Sequence, residues 1–192
     1  GIRTIVYSKK NVFDFMNTSF YTRITQGKAT KSFREGNKNF VLKHPEHLNE
    51  LTKIAFTIAD KNHHKAFWAL ELICEEDCSY FEPFIDDFCR YIPAYKNDNS
   101  KRPVSRICMF LVNSKKIQLT KEQEQSIIEN CFDWLINNEK VAVKAYAMKT
   151  LYKLSQTNNW IIPDLKQIIT TDFPNKSAGY KACTKEILKK LK

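Results

Sequence analysis

Glycine and proline are scarce in this chain, with only four glycines and six prolines in 192 residues. A protein of many β-strands needs these residues for its turns, so their scarcity favours helices. No apolar run approaches the roughly 18 residues of a membrane-spanning helix. The N-terminal segment also lacks the uninterrupted apolar stretch and small-residue cleavage site of a secretion signal. We therefore expect an all-α, cytoplasmic protein.

Motifs for catalysis and phosphate binding are also missing. The sequence contains no G-x-S-x-G, no phosphate loop, no dinucleotide fingerprint and no recognisable nucleophile–base pair. No C-x-x-C occurs, and the six cysteines lie inside apolar helical patterns, which is typical of reduced core thiols. The pairs His44/His47 and His63/His64 flank one helix and could meet as a metal site, but their spacing fits no metal motif. The sequence therefore indicates no cofactor or metal site and does not favour an enzymatic function.

The net charge of +10 is distributed unevenly. Residues 1–43 carry nine Lys or Arg against two Asp or Glu, and residues 95–192 carry eighteen against nine. Residues 44–94 reverse the balance, with four basic side chains against ten acidic ones. This asymmetry points to an anionic partner for the two ends or to stacking of one region on another.

One short helical phrase occurs four times. The copies are "HKAFWALELI" at 64–73, "KRPVSRICMF" at 101–110, "VKAYAMKTLYKL" at 143–154 and "YKACTKEILK" at 180–189. Their basic residues are Lys65, Arg102, Lys144 and Lys181, at separations of 37, 42 and 37 residues. Seven residues after each lies a large apolar residue, namely Leu72, Met109, Leu151 and Leu188. The period is therefore close to 40 residues.

A second amphipathic segment precedes each phrase. These segments span residues 45–59, 82–92, 121–136 and 163–173, with apolar residues three and four apart. Three of them open on proline, which suits a first helical turn. The other opens with Thr120 and Gln123, the spacing of a capping box. Two helices per unit of about 40 residues are typical of HEAT-like repeats.

We therefore predict an all-α protein, an α-α superhelix (a HEAT/ARM-like solenoid) of about four helix pairs. Residues 26–43 would form an N-terminal cap within a single domain over 26–192. Residues 1–25 would be an appendage, with Gly1 as the remnant of a tag. Residues 95–103, "YKNDNSKRP", read as an exposed loop.

The most specific candidate site is a ladder of cations. Second helices line the concave side of an α-solenoid, so equivalent positions stack into a row. The predicted ladder consists of Lys65, Arg102, Lys144 and Lys181, extended by Arg106 one turn after Arg102. Such a row could follow a phosphate backbone or an acidic peptide. The alternative is that these are solvated cations with no binding role.

Aromatic residues suggest a further possibility, a stacking platform for bases. The rings concerned are Phe67, Trp68, Phe132, Trp134, Tyr146 and Trp160. Aromatic residues at helical spacing more often belong to the core, and that interpretation is preferred.

The stretch from about 64 to 192 resembles a known family. "HKAFWALELICEED", "RPVSRICMFLV", "SAGYKACTKEILKKL" and above all "EKVAVKAYAM" are similar to short HEAT/ARM-like repeat proteins of Bacteroidetes-type bacteria. Many of these carry the label adenylosuccinate lyase. The resemblance implies an α-superhelix and no catalytic residue, because the lyase loop has Ser-Ser and Met-Pro dipeptides that this chain lacks. A fold-level likeness to HEAT-like DNA alkylation-repair glycosylases rests only on the residue types of Arg102, Asp133 and Trp134.

The leading functional hypothesis is a non-enzymatic cytosolic scaffold. Its concave face would bind a protein or an anionic ligand of unknown identity, with no membrane involved. The alternative is a nucleic-acid-binding or DNA-repair-like protein that uses the cationic ladder. A second, disfavoured alternative takes the lyase label at face value, and we expect no turnover of adenylosuccinate.

Overall fold

The computed structural model describes residues 18–172 and 177–191, and within these ranges all regular structure is helical. The α-helices are α1 Thr18–Thr25, α2 Lys31–Lys43, α3 Leu48–Phe56, α4 His63–Glu76, α5 Ile85–Tyr91, α6 Asp98–Asn113, α7 Lys121–Ile136, α8 Val141–Ser155, α9 Ile161–Asp172 and α10 Ala178–Lys190. Short 3-10 turns at Pro45–His47, Cys78–Phe84 and Ile92–Ala94 flank α3 and α5. The all-α prediction is confirmed.

The helices form pairs that stack along one direction. The first helices of the pairs are α3, α5, α7 and α9, and the second helices are α4, α6, α8 and α10. Each second helix packs against the second helix of the next pair, and α2 packs against α4 in the same way. The predicted solenoid of four pairs is confirmed, with α1 and α2 covering its N-terminal end.

Local signals in the sequence explain where several helices begin. The Thr120 hydroxyl accepts a hydrogen bond from the Gln123 amide at 3.1 Å, and the Gln123 side chain accepts one from the Thr120 amide at 2.9 Å. This is the predicted capping box, and α7 spans 121–136 as expected. The segments 45–59 and 82–92 contain shorter helices than predicted, because the chain around Pro45 and Pro83 forms 3-10 turns.

The prediction of an exposed loop over residues 95–103 is wrong. Helix α6 begins at Asp98, and the Asn97 side chain accepts a hydrogen bond from the Asn99 amide at 2.8 Å. The run of Asn, Asp and Ser is a helix start rather than a loop, because Asn97 caps the helix and Asp98 is favourable in its first turn. Pro103 is accommodated inside α6, where it is buried.

One apolar core runs through all the pairs. Leu151 is fully buried, and the equivalent residues Leu72, Met109 and Leu188 are partly buried. Phe20 and Ile24 of α1 are also buried in this core. Residues 18–25, which the sequence interpretation placed in the appendage, are thus part of the stack, whereas Gly1 and the remainder of that appendage lie outside the described residues.

Polar contacts between pairs also follow the repeat period. The His63 ring contacts the Ser100 hydroxyl at 2.6 Å, and Gln123 donates to Asp86 at 2.7 Å. The Ser126 hydroxyl donates to the Cys89 carbonyl at 3.2 Å. Each of these contacts joins residues 37 apart in the chain. Hydrogen bonds as well as apolar packing therefore fix the register between pairs.

The cysteines belong to the core, as expected. Cys74, Cys78, Cys89, Cys108 and Cys131 are buried free thiols, and Cys183 is half-buried. Among the helices of residues 18–172 and 177–191, none is both long and apolar enough to cross a bilayer.

Candidate binding surface on the second helices

The second helices form a continuous layer along the molecule. We call the solvent-facing side of α2, α4, α6, α8 and α10 the second-helix face. Packing between neighbours is more extensive in this layer than between the first helices α3, α5, α7 and α9. In α-solenoids the second helices generally line the concave side, so this face is the expected binding surface.

Two residues of the predicted cationic ladder bind the ends of other helices. Lys65 donates from Nζ to the carbonyl of Thr25, the last residue of α1, at 2.7 Å. Lys144 is buried, and its Nζ donates to the Leu135 carbonyl in the last turn of α7 at 2.9 Å. The last carbonyls of a helix lack intrahelical partners and carry partial negative charge, so an ammonium group stabilises them.

The remaining ladder residues differ from one another. Arg106 bridges Glu71 at 3.1 Å and Glu75 at 3.2 Å. Arg102 is exposed and Lys181 is half-buried, and neither side chain makes an ion pair or hydrogen bond within the described ranges. The structure therefore places these five residues in three environments, and Arg102 and Lys181 are the two that remain available to a ligand.

The Arg106–Glu71 pair joins α6 to α4 at the edge of the core. The Glu71 side chain is only 9% exposed, and Arg106 lies 4.7 Å from the centroid of the Phe110 ring. Burial opposes the charge on Arg106, but the hydrogen bond to Glu71 and the negative charges of Glu71 and Glu75 act in the other direction, and the pKa of Arg106 is raised. This arginine therefore has a structural role as an interhelical cation.

Exposed lysines accumulate toward the C-terminal pairs. Lys149 and Lys153 are exposed on α8. On α10, Lys190 pairs with Glu186 at 2.9 Å and lies 5.5 Å from the Tyr152 ring centroid. Residues 140–191 contain ten lysines, three acidic residues and no arginine. This segment of the chain is therefore strongly basic.

Arg34 on α2 is the residue that the sequence analysis missed. Its guanidinium carbon lies 4.5 Å from the centroid of the Trp68 ring on α4. The His64 ring meets the same tryptophan edge-on at 5.3 Å. The residues that meet here are 34 apart in the chain, but α2 does not carry the repeated phrase, so the phrase gave no signal for Arg34.

The six aromatic rings considered as a platform do not share one surface. Phe67 and Trp134 are buried in the core, and Trp68 is only 9% exposed. Phe132 lies on a first helix, Tyr146 on a second helix, and the half-exposed Trp160 in the loop before α9. Trp134 lies on a first helix and is therefore not part of the second-helix face.

The histidines have structural partners. His63 is buried, with Nδ1 2.7 Å from the Asp60 carbonyl and Nε2 2.6 Å from the Ser100 hydroxyl. A ring nitrogen beside a carbonyl must donate, so in the neutral ring Nε2 accepts from Ser100. His47 stacks on Phe20 with ring centroids 4.6 Å apart. Across the part of the chain that the structure describes, no three His, Cys, Asp or Glu side chains are grouped to hold a metal.

Comparisons with known proteins agree with this architecture. A family model described as a HEAT repeat domain matches residues 27–191. No curated protein and no solved structure matches the chain significantly.

Proposed function

The chain belongs to the HEAT repeat domain family, and from that premise we propose that it is a non-catalytic binding protein that takes up an acidic, extended segment of a partner protein. The observation that carries the proposal is the unbroken row of second helices from α2 to α10. Five helices packed side by side, with axes about 10 Å apart, give a surface roughly 40 Å long. Such a surface suits an elongated ligand better than a small substrate.

The charge of the second-helix face supports an acidic partner. Each carboxylate of α4 is already paired: Glu71 and Glu75 with Arg106, and Glu76 with Lys38 at 3.0 Å. The cations with no ion pair in the described structure include Arg34, Arg102, Lys149 and Lys153. The charge left available to a partner is therefore mainly positive, and it would steer an acidic segment to this side.

Fluorescence anisotropy with a labelled polyglutamate peptide tests the proposal. We expect Arg102→Glu with Lys149→Glu to weaken binding at low salt by about tenfold or more, because both exposed cations become anions. Lys53→Glu with Arg90→Glu is the matched control, since it makes the same charge change on α3 and α5 of the first-helix layer. Equal losses in the two double variants would refute a binding role for the second-helix face.

Nucleic-acid binding is the second candidate, and the lysine excess of residues 140–191 favours it. Lysine ammonium groups can neutralise phosphates without reading sequence. The same assay with labelled single-stranded and duplex DNA separates the two functions. Tight DNA binding that falls steeply with salt and is lost in the second-helix double variant would replace the acidic-peptide proposal.

Lys144 is unsuited to either test. Its Nζ is buried against the Leu135 carbonyl and lies 3.4 Å from Asp172. Lys144→Glu would place a carboxylate beside a carbonyl and another carboxylate in the core, so loss of binding in that variant would report unfolding. Arg102 and Lys149 avoid this problem because both are exposed.

A further inference from the structure

The Trp68 ring packs against the Arg34 guanidinium. Arg34 on α2 lies over the ring at 4.5 Å, and Trp68 as a whole is only 9% exposed. A guanidinium over an indole face is attracted by the ring and has already lost part of its side-chain freedom before a ligand binds. The ring is therefore a rigid support for one cation of the second-helix face.

The hydrogen-bonding state of Arg34 is unusual. Its Nε is buried and has no acceptor within the described residues. The two terminal nitrogens of Arg34 also have no acceptor within the described ranges. Unlike Nε, they are not buried. A buried N–H without an acceptor costs free energy. The packing of the guanidinium against Trp68 must offset that cost. The result is a charged group whose accessible N–H groups are at its outer end.

The nearby carboxylates cannot satisfy Arg34. Glu76 of α4 pairs with Lys38, one turn after Arg34, at 3.0 Å. Glu71 and Glu75 pair with Arg106 from the other side of α4. The three carboxylates of α4 are therefore already bound to other cations, and the Arg34 guanidinium has no ion-pair partner among the described residues.

We propose that Arg34, supported by Trp68, is a binding site for an oxyanion, either a carboxylate or a phosphate group, which it takes through its two terminal nitrogens. Two parallel N–H groups match two oxygens of such a group and give the strongest type of charge-assisted hydrogen bond. The inference rests on the proposed function in one respect, namely that the oxyanion is carried by the partner of the second-helix face.

Titration of the ¹⁵N-labelled full chain with inorganic phosphate, and separately with acetate, tests the site. The indole N–H resonance of Trp68 is the reporter, assigned with a Trp68→Phe variant. We expect a saturable shift of the Trp68 resonance in the wild type and no saturable shift in Arg34→Gln. In Arg34→Lys we expect the affinity to fall about tenfold, because lysine keeps the charge but not the paired N–H groups. Stronger binding of phosphate would identify a phosphate-bearing partner, and stronger binding of acetate a carboxylate-bearing one.

Arg90→Gln is the matched control, because Arg90 is an exposed arginine on α5 that pairs with Asp87 at 3.3 Å. The Trp68 response should be unchanged in this variant. No Trp68 shift in the wild type, or equal responses in Arg34→Gln, Arg34→Lys and Arg90→Gln, would overturn the site. Failure here would leave the polyglutamate experiment intact, since Arg102 and Lys149 lie on α6 and α8.

Discussion

At the scale of single residues, the partner of a charged side chain determines its role. Lys65, Arg102 and Lys144 occupy the same position in the repeated phrase. Lys65 and Lys144 bind main-chain carbonyls at helix ends, whereas Arg102 is exposed. A cation at this position is thus used to join helices in at least two repeats. The binding hypothesis consequently rests on the exposed cations and not on the phrase itself.

The carboxylate of Asp77 gives a prediction about pH at this scale. Lys116 donates to it at 2.6 Å, and the Ser79 hydroxyl and amide donate at 2.6 and 2.9 Å. Together these hold the pKa of Asp77 at about 2, below its ordinary value of 3.8. Because the folded pKa is the lower one, the stabilisation is fully present above pH 4 and is lost as the pH falls through about 2.

Removal of the lysine should reverse that shift. We expect Lys116→Met to raise the pKa of Asp77 toward 3.8, as measured by NMR titration of its side-chain carboxyl carbon. Lys115→Met is the control, because Lys115 is an exposed neighbour with no such ion pair in the described residues. An identical Asp77 pKa in the two variants would show that the bridge does not form in solution.

At the scale of helices, the contact between α4 and α6 combines apolar packing with one ion pair. Ala66, Ile73 and Ile107 are fully buried in these two helices. Arg106 reaches from α6 to Glu71 on α4, whose side chain is 9% exposed. A carboxylate this deeply buried is tolerated only when a cation and hydrogen bonds compensate it. Arg106 is therefore needed for the stability of the contact even if it never binds a ligand.

Two matched substitutions on α6 measure this requirement. We expect Arg106→Met to lower the free energy of unfolding by about 2–3 kcal/mol, because Glu71 is left buried without its partner. Arg102→Met removes the same charge one turn earlier at an exposed position, and we expect a change within about 0.5 kcal/mol. Urea denaturation followed by circular dichroism gives both values. Similar values for the two variants would mean that Glu71 is solvated in solution.

At the scale of the whole molecule, periodicity was sufficient to predict the fold. The repeated phrase and the capping box at Thr120 are local patterns, and they correctly indicated the second helices and the span of α7. The start of α6 was missed because asparagine and aspartate, the residue types at positions 97 and 98, are common both in loops and at helix N-termini. The Arg34 site could not be predicted, since it depends on the register between α2 and α4, which tertiary packing decides.

The stacked architecture also predicts how stability varies along the chain. A repeat in the middle is covered on both sides, whereas α10 packs on α8 and leaves Ala178, Ala182, Lys185 and Lys189 exposed. A helix pair that is covered on one side only therefore opens more easily than a pair covered on both sides. In native-state hydrogen exchange we expect the amides of α10 to open with a free energy about 2 kcal/mol below that of α6.

Two leucine variants make the exchange experiment decisive. Leu151 is fully buried on α8, so Leu151→Ala should reduce protection in α6 and α8 together, by about 2–5 kcal/mol. Leu188 is partly buried on α10, which does not pack against α6, so Leu188→Ala should reduce protection in α10 and leave α6 unchanged. If both variants lowered protection equally in every helix, the pairs would unfold as one cooperative unit. The nearest-neighbour description of this solenoid would then be wrong, because coupling would extend beyond adjacent pairs.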